Sequence, residues 1–169
     1  MPAGSTYTPI ATYTLPSNAS SYTFTSIPST YTDLVLVANG GTVSDSNLNL
    51  RVGNGSIDSG SNYSQTLIGG NGSSALSSRV TSQTQWQPSN DDAYWTNAIK
   101  GVLTIHFMNY SNTTTYKTVI GRTNLASSGL DSIVHLWRST SAINSILVGN
   151  YGYNFSIGST FTLYGIKAA

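Results

Sequence analysis

The sequence repeatedly alternates apolar and polar residues with a period of two, the spacing of a β-strand that has one face in a core. The segments from Leu48 to Val52 and from Leu103 to Phe107 show this alternation most clearly. No segment carries the apolar residues spaced by three and four that an amphipathic helix requires. The pattern therefore predicts an all-β chain.

The amino-acid composition favours the same fold class. The 169 residues include 27 Ser, 22 Thr and 15 Asn, and there is no Glu. Straight-chain helix formers are scarce, whereas Ser, Thr and Asn favour turns, caps and strands. Only 8% of the residues are charged, but 38% are hydrophobic, which is enough to form a core. We expect one folded domain whose solubility depends on hydroxyl and amide groups.

About nine or ten segments have strand character, at spacings typical of sandwiches and barrels. We predict an antiparallel β-sandwich, jelly-roll-like in topology, that occupies residues 10–169. Residues 1–9 contain two prolines and no apolar pattern, so they are predicted to form a short extended N-terminal arm. The segment from Gly69 to Ser78 is predicted to be a flexible loop, and Ala93 to Ile99 a strand.

The charge pattern argues against nucleic-acid binding and membrane insertion. The net charge is +1, and the seven basic residues are scattered singly. No apolar run approaches the roughly 20 residues of a membrane span. The N-terminus lacks the pattern of a signal peptide, so we expect synthesis in the cytoplasm. Cysteine is absent, which excludes disulfides and thiol chemistry.

The titratable residues form no recognisable catalytic or metal-binding pattern. His106 and His135 lie in predicted strands without carboxylates at ligand spacing, so we interpret them as packed beside aromatics or facing solvent. Asp91 and Asp92 are adjacent and resemble a turn. We expect no catalytic residues, no metal, no cofactor and no enzymatic activity. A glycoside hydrolase or depolymerase that uses Asp91 and Asp92 is the enzyme-class alternative.

Aromatic residues at strand ends and in loops are the candidate contact residues, because such side chains often anchor interfaces or stack on sugars. The alternative is that they close the ends of the sandwich, and Trp137, inside a predicted strand, is assigned to the core. With one aliphatic residue at the start of the first strand, the candidate interface or glycan-contact residues are Tyr7, Ile10, Trp86, Tyr94, Trp95, Tyr110, Tyr151 and Tyr153.

Four segments in the same order resemble a family of small virion proteins of tailed bacteriophages. They are FTSIPSTYTDLVLVANG (24–40), LNLRVGNGSIDSGSNYSQTLIGGNGSS (48–74), LWRSTSAINSI (136–146) and NFSIGSTFTLYGIKAA (154–169). The match is thinnest between residues 79 and 115. The resemblance covers nearly the whole chain, and the matching segments are structural rather than catalytic.

The resemblance implies a jelly-roll-like module of the phage particle. The leading expectation is a capsid cement or decoration protein that binds the major capsid protein as a symmetric oligomer, with a trimer favoured. The protein would then be made in the host cytoplasm and lie on the capsid surface of the virion. The alternative is a receptor-binding tail-fibre or baseplate tip protein that contacts tail or baseplate proteins and recognises cell-surface glycans on the host.

Overall fold

The structure is a computed structural model that describes residues 6–90 and 93–167. These residues form twelve β-strands and no helix, so the predicted all-β class is confirmed, with more strands than the nine or ten expected. The strands are β1 (Tyr7–Thr14), β2 (Ser21–Phe24), β3 (Asp33–Gly40), β4 (Leu48–Asn54), β5 (Ser56–Ile57), β6 (Tyr63–Gly70), β7 (Ala75–Gln83), β8 (Gly101–Phe107), β9 (Lys117–Leu125), β10 (Gly129–Trp137), β11 (Ser145–Asn150) and β12 (Thr160–Ile166).

The strands form two antiparallel sheets of unequal width. The larger sheet has the order β1-β12-β3-β8-β9-β10-β6-β7, and the smaller has the order β2-β11-β4-β5. Without β6, β7, β9 and β10, two four-stranded sheets remain, and strands β1 to β4 alternate between them. This is the two-sheet arrangement of a jelly roll, so the predicted sandwich topology is confirmed. The four additional strands widen one sheet only.

The core lies between the two sheets and follows the alternation in the sequence. Along β8 and β9 every second residue is buried, and the residues between them are exposed or half-buried. The smaller sheet contributes the alternate apolar residues of β4 and β11. Residues with no measurable exposure in this core include Leu36, Leu48, Leu50, Ile105, Phe107, Ile146, Phe161 and Leu163.

The β6–β7 hairpin differs from the predicted flexible loop between Gly69 and Ser78. Strand β6 continues to Gly70, β7 begins at Ala75, and only four residues connect them. The Asn71 side chain closes this turn, since its Oδ1 accepts hydrogen bonds from Ser73 N at 3.0 Å and Ser74 N at 2.8 Å. Gly72 has a φ of +84°, in the left-handed region that glycine adopts without strain.

The segment between β7 and β8 extends the smaller sheet instead of forming the predicted strand from Ala93 to Ile99. Isolated bridges join Leu50 to Trp86 and Ser46 to Trp95. In both bridges the two residues exchange backbone hydrogen bonds of 2.9–3.0 Å. The segment therefore runs beside β4 and covers the inner face of the strands that widen the larger sheet.

The N-terminal strand β1 lies at one edge of the larger sheet, paired with β12. Because β1 starts at Tyr7, the predicted boundary between the arm and the domain, at residue 9, falls within this strand. Residues 1–5 lie outside the described residues. Pro9 and a register shift between Pro9 and Ala11 interrupt the ladder near its start, as is common at sheet edges.

Candidate ligand-binding groove

A groove lies where the widened sheet extends beyond the smaller sheet. Its floor is formed by the inner face of β6 and β7, and one wall is formed by the segment that follows β7. Trp86 anchors this wall, because its ring is fully buried and its Nε1 donates to Leu136 O at 3.1 Å. The ring packs edge-on against Tyr63, with centroids 5.2 Å apart. The wall is therefore fixed to the core.

The side chain of Gln65 holds the wall against the floor. Its Nε2 donates to Gln87 O at 3.1 Å, and its Oε1 accepts from Gln87 N at 2.7 Å. Gln85 is held from the other side, since its Oε1 accepts from Arg51 Nη2 at 2.8 Å. Gln87, held in this way by its backbone, lines the groove.

Two tyrosines lie at the wider end of the groove. Tyr94 precedes the Trp95 bridge to Ser46, and Tyr151 N donates to Asn47 O at 2.9 Å. The cavity between them has a volume of about 510 Å³, within the range of small-ligand sites. A narrower cavity of about 150 Å³ shares Gln87 and Tyr151 with it and continues toward β7. The lining of the wide end is Asp45, Ser46, Asn47, Gln87, Tyr94 and Tyr151.

The groove is polar but carries little charge. Amides, hydroxyls and phenol rings dominate its lining, and Asp45 is the charged residue at its wide end. Beneath it, burial lowers the pKa of His135 to about 3, so this imidazole is neutral at physiological pH. Asp131 accepts a hydrogen bond from Asn90 N at 2.7 Å, which fixes the end of the wall. The arrangement suits a neutral, hydroxyl-rich ligand whose ring faces can stack on tyrosine.

The structure brings together two of the predicted contact residues, Tyr94 and Tyr151. Tyr153 lies in the same loop as Tyr151 and is 49% exposed, but it does not line the groove. Tyr7 is 54% exposed in β1, and Ile10 of the same strand is half-buried against the core. Tyr7 and Ile10 lie at the β1 edge, several strands from the groove in the sheet order.

The prediction for Trp86, Trp95 and Tyr110 is wrong, because all three side chains are fully buried. The two tryptophans fill space that the narrower sheet cannot reach, and Trp95 packs against Phe155 at 5.9 Å. The Tyr110 hydroxyl donates to Pro28 O, closing one end of the sandwich. The alternative that such aromatics close the ends of the sandwich therefore describes these residues. Trp137, predicted to be core, is 3% exposed.

Sequence reasoning missed the polar residues of the groove. Gln65, Gln87 and Asp45 are ordinary residues in a chain rich in amides and hydroxyls, so none of them stands out by type. One signal was present: Gln83, Gln85 and Gln87 recur with a period of two, opposite the buried Trp86. This alternation indicates an extended segment with an amide face.

A second surface is an aliphatic patch on the outer face of the widened sheet. Ile120 of β9 and Val134 of β10 are register partners, and Ile68 of the neighbouring strand β6 is paired with Ser132 of β10. The exposed fractions of the four large side chains of this aliphatic patch are 62% for Ile68, 46% for Ile120, 56% for Leu130 and 48% for Val134.

Residues 6–90 and 93–167 contain no group of three or more His, Asp or Glu residues that could hold a metal ion. They also contain no helix with the length and apolar character needed to cross a membrane.

The fold and the groove define an all-β protein of jelly-roll topology with a polar surface cavity. No protein-family model matches the sequence, and no curated protein matches it. Among solved structures, the chain is similar to the PL-14 alginate lyase from Aplysia kurodai, with a TM-score of 0.30 and 10% identity over 85% of this chain and 72% of that one. It is also similar to a variant of the alginate lyase Aly36B in complex with alginate trisaccharide, with a TM-score of 0.26 and 8% identity over 87% and 81%.

The comparison with solved structures runs against the expectation that the protein has no enzymatic activity, since the structures named above are alginate lyases, at TM-scores of 0.30 and 0.26. A TM-score of 0.30 carries no argument for assigning that activity to this chain. Asp91 and Asp92, the acids considered for a hydrolase, lie outside the described residues.

Proposed function

We propose that the protein is a virion structural protein, a capsid cement or decoration protein that binds the shell of major capsid protein and stabilises it. The supporting observation is the aliphatic patch of Ile68, Ile120, Leu130 and Val134. Soluble monomers rarely expose contiguous apolar patches larger than a few hundred Å², and patches of that kind with polar rims mark interaction sites. The protein acts as a symmetric oligomer on the capsid surface of the virion, after synthesis in the host cytoplasm.

The low charge of the chain is consistent with this role. A net charge of +1 provides no attraction to nucleic acid, so apolar contact with protein supplies the affinity. Each contact can be modest, because several contacts per oligomer multiply the overall affinity. The resemblance of the four sequence segments to phage virion proteins points to the same partner, the major capsid protein.

The test is binding of purified protein to phage heads that lack it. We expect saturable binding and greater resistance of the heads to heat. The double substitution Ile120→Lys with Val134→Lys places two charges in the aliphatic patch and should abolish binding, while Thr14→Lys on exposed β1 should not. The proposal is overturned if heads bind no protein, or if the double variant binds as well as the unsubstituted chain.

A second candidate function is favoured by the groove: a receptor-binding tail-fibre or baseplate tip protein that recognises cell-surface glycans. The supporting observation is that Tyr94, Tyr151, Gln87 and Asp45 line one cavity of about 510 Å³. Aromatic faces together with amide and carboxylate groups can stack on and hydrogen-bond to a sugar ring.

A glycan array and a host-cell binding assay test this second function. Tyr151→Ala should remove saturable binding, whereas Tyr153→Ala, in the same loop but outside the groove, should preserve it. Equal binding by the two variants would contradict a glycan site in the groove. The location of the protein on intact virions, at the capsid or at the tail, distinguishes the two functions. Incubation of the protein with alginate is a separate test, for lyase activity.

A further inference from the structure

We propose that two copies of the chain pair through the free edge of β7, antiparallel and centred on Ser78, and so join their larger sheets into one. This interface goes beyond the proposed function and does not depend on it, because it belongs to the isolated protein.

The four edges of the two sheets are protected to different degrees. In the smaller sheet the edge strands β2 and β5 have only four and two residues. In the larger sheet β1 carries Pro9 and a bulge. Strand β7 has nine residues. Its register with β6 shifts only near its C-terminal end, between the pairs Gln65–Val80 and Tyr63–Gln83. Long, regular free edges are sites of strand pairing, so β7 is the edge best suited to a partner.

The backbone groups of alternate residues in β7 point away from β6. Asn71 N donates to Ser74 O across the turn, which marks this pair as hydrogen-bonded. Bonded and non-bonded pairs alternate along an antiparallel ladder. In the β6–β7 register, Leu67 and Ser78 therefore form a bonded pair, whereas Ser77 and Arg79 have their N–H and C=O groups on the free edge.

One register of β7 with itself suits both the backbone and the side chains. In the register centred on Ser78, this residue faces Ser78 of the second copy. Ser77 then lies opposite Arg79 of the second copy, and both of these residues present free backbone groups. The same register places Leu76 opposite Val80 of the second copy, in non-bonded pairs, where side chains approach most closely. Both residues are accessible, with Leu76 half-buried and Val80 39% exposed.

The neighbouring registers are less favourable. Centring on Arg79 would place the two Arg79 side chains directly opposite each other, and like charges there are destabilising. Centring on Ser77 would place Leu76 opposite Ser78 and remove the apolar pair. The occupant that the edge fits best is therefore a second copy of the same strand, in an isologous two-fold interface.

The first experiment measures the mass of the purified protein in solution by light scattering across a dilution series. We expect a dimer of twice the 17.9 kDa chain mass. Ser78→Lys sets two ammonium groups opposite each other at the two-fold axis and should yield a monomer. Thr14→Lys, at the opposite edge of the sheet, should remain dimeric. Circular dichroism and thermal melting verify that both variants are folded.

The second experiment tests the register by single cysteine substitutions, which this cysteine-free chain permits. A directly opposed, non-bonded pair has Cα atoms about 4.5 Å apart, close enough for a disulfide. Ser78→Cys should therefore form a covalent dimer under mild oxidation. A cysteine introduced by Ser77→Cys or Arg79→Cys would lie diagonally from the same cysteine of the second copy, at a distance of about 7 to 8 Å. These two variants should therefore cross-link poorly.

Three results would overturn the proposal. One is a monomeric protein throughout the dilution series. Another is an oligomer of any size, including a trimer or a complex with a co-purifying chain, that Ser78→Lys leaves intact. The third is cross-linking at Ser77 or Arg79 that equals or exceeds that at Ser78, because the strands would then pair in another register.

Discussion

At the scale of single residues, His135 is an unusual buried group. It lies on the inner face of β10, has no exposed surface, and packs 5.1 Å from the Trp86 ring. Neither ring nitrogen has a hydrogen-bond partner among the described residues. An imidazole in such surroundings is stable only in its neutral form, because a buried charge without a partner is costly.

We predict that His135 makes the fold sensitive to acid. Burial lowers its pKa from 6.5 to about 3, so below pH 6.5 the unfolded chain binds a proton that the folded chain does not. This histidine should therefore lower the free energy of unfolding by up to about 1.4 kcal/mol per pH unit as the pH falls from 6.5 toward 3. Above pH 6.5 both states are neutral and the effect vanishes.

The measurement is urea unfolding at several pH values for the unsubstituted chain and for His135→Leu. The leucine variant lacks the titrating group and two unpaired nitrogens, so it should be at least as stable at pH 7 and less sensitive to acid. Equal slopes for the two proteins between pH 6.5 and 4 would contradict the prediction.

The Tyr63 hydroxyl is the other buried polar group for which we predict a clear effect. It lies 3.0 Å from Val52 O and 2.8 Å from Asp58 O, and it accepts from Val52 N at 3.2 Å. It therefore joins β4 to the loop that precedes β6. Tyr63→Phe should lower the free energy of unfolding by about 1 to 3 kcal/mol, whereas Tyr153→Phe, which is exposed, should change it little. Chemical denaturation of both variants provides the comparison.

Residue types alone could predict part of this site. Tyr94 and Tyr151 are predicted contact residues because aromatic side chains at strand ends and in loops often anchor interfaces or stack on sugars. The same criterion selected Trp86 and Trp95, which are buried because the wider sheet needs large side chains beneath its extension. Whether a loop aromatic faces inward depends on sheet width, which is a property of the assembled fold.

At the scale of elements, alternation in the sequence predicts β4, β8 and β12 well, since each has one face in the core. The turn of the β6–β7 hairpin and the start of β7 were predicted to be a flexible loop, because the segment from Gly69 to Ser78 is rich in Gly and Ser. Formation of the hairpin depends on pairing with β10 and on the Asn71 turn. Neither the pairing with β10 nor the Asn71 turn follows from the local pattern of apolar residues. Tertiary pairing therefore overrides the weak strand propensity of the hairpin residues.

We predict an alternating pattern of amide exchange along β7. Leu76, Ser78 and Val80 bond to β6, so their amides should be protected in every folded form of the protein. The amides of Ser77 and Arg79 point to the free edge and should be protected only in the dimer. Residue-resolved hydrogen exchange would compare the unsubstituted chain with Ser78→Lys. If the amides of Ser77 and Arg79 exchange equally fast in the unsubstituted chain and in Ser78→Lys, pairing through this edge is contradicted.

At the scale of the whole molecule, the unequal width of the two sheets accounts for the groove, the aliphatic patch and the free edge of β7. Four extra strands extend the larger sheet past its partner. The inner face of this extension forms the groove, its outer face exposes the aliphatic patch, and its last strand is the free edge. Sequence alone predicts the sandwich but not the extension, because the number of strands in each sheet depends on long-range pairing.

Dimerisation through β7 would place the two grooves next to each other. Ser78 and Val80 line the narrower cavity and also lie at the proposed interface. Two sites on one rigid body can bind one chain with repeated units, and the second binding event is then intramolecular. A dimer would therefore bind a polymeric glycan more tightly than a single saccharide unit.

We predict that Ser78→Lys weakens binding of a polymeric glycan identified on the array by about 100-fold or more, while the affinity for its monomeric unit stays within a factor of two or three. The substitution separates the two grooves and leaves the wide cavity with Tyr94 and Tyr151 intact. Calorimetry with both ligands would measure the two affinities, and Tyr151→Ala should abolish both. An equal loss for monomer and polymer would mean that Ser78 acts within the groove itself, which would contradict the avidity of paired sites.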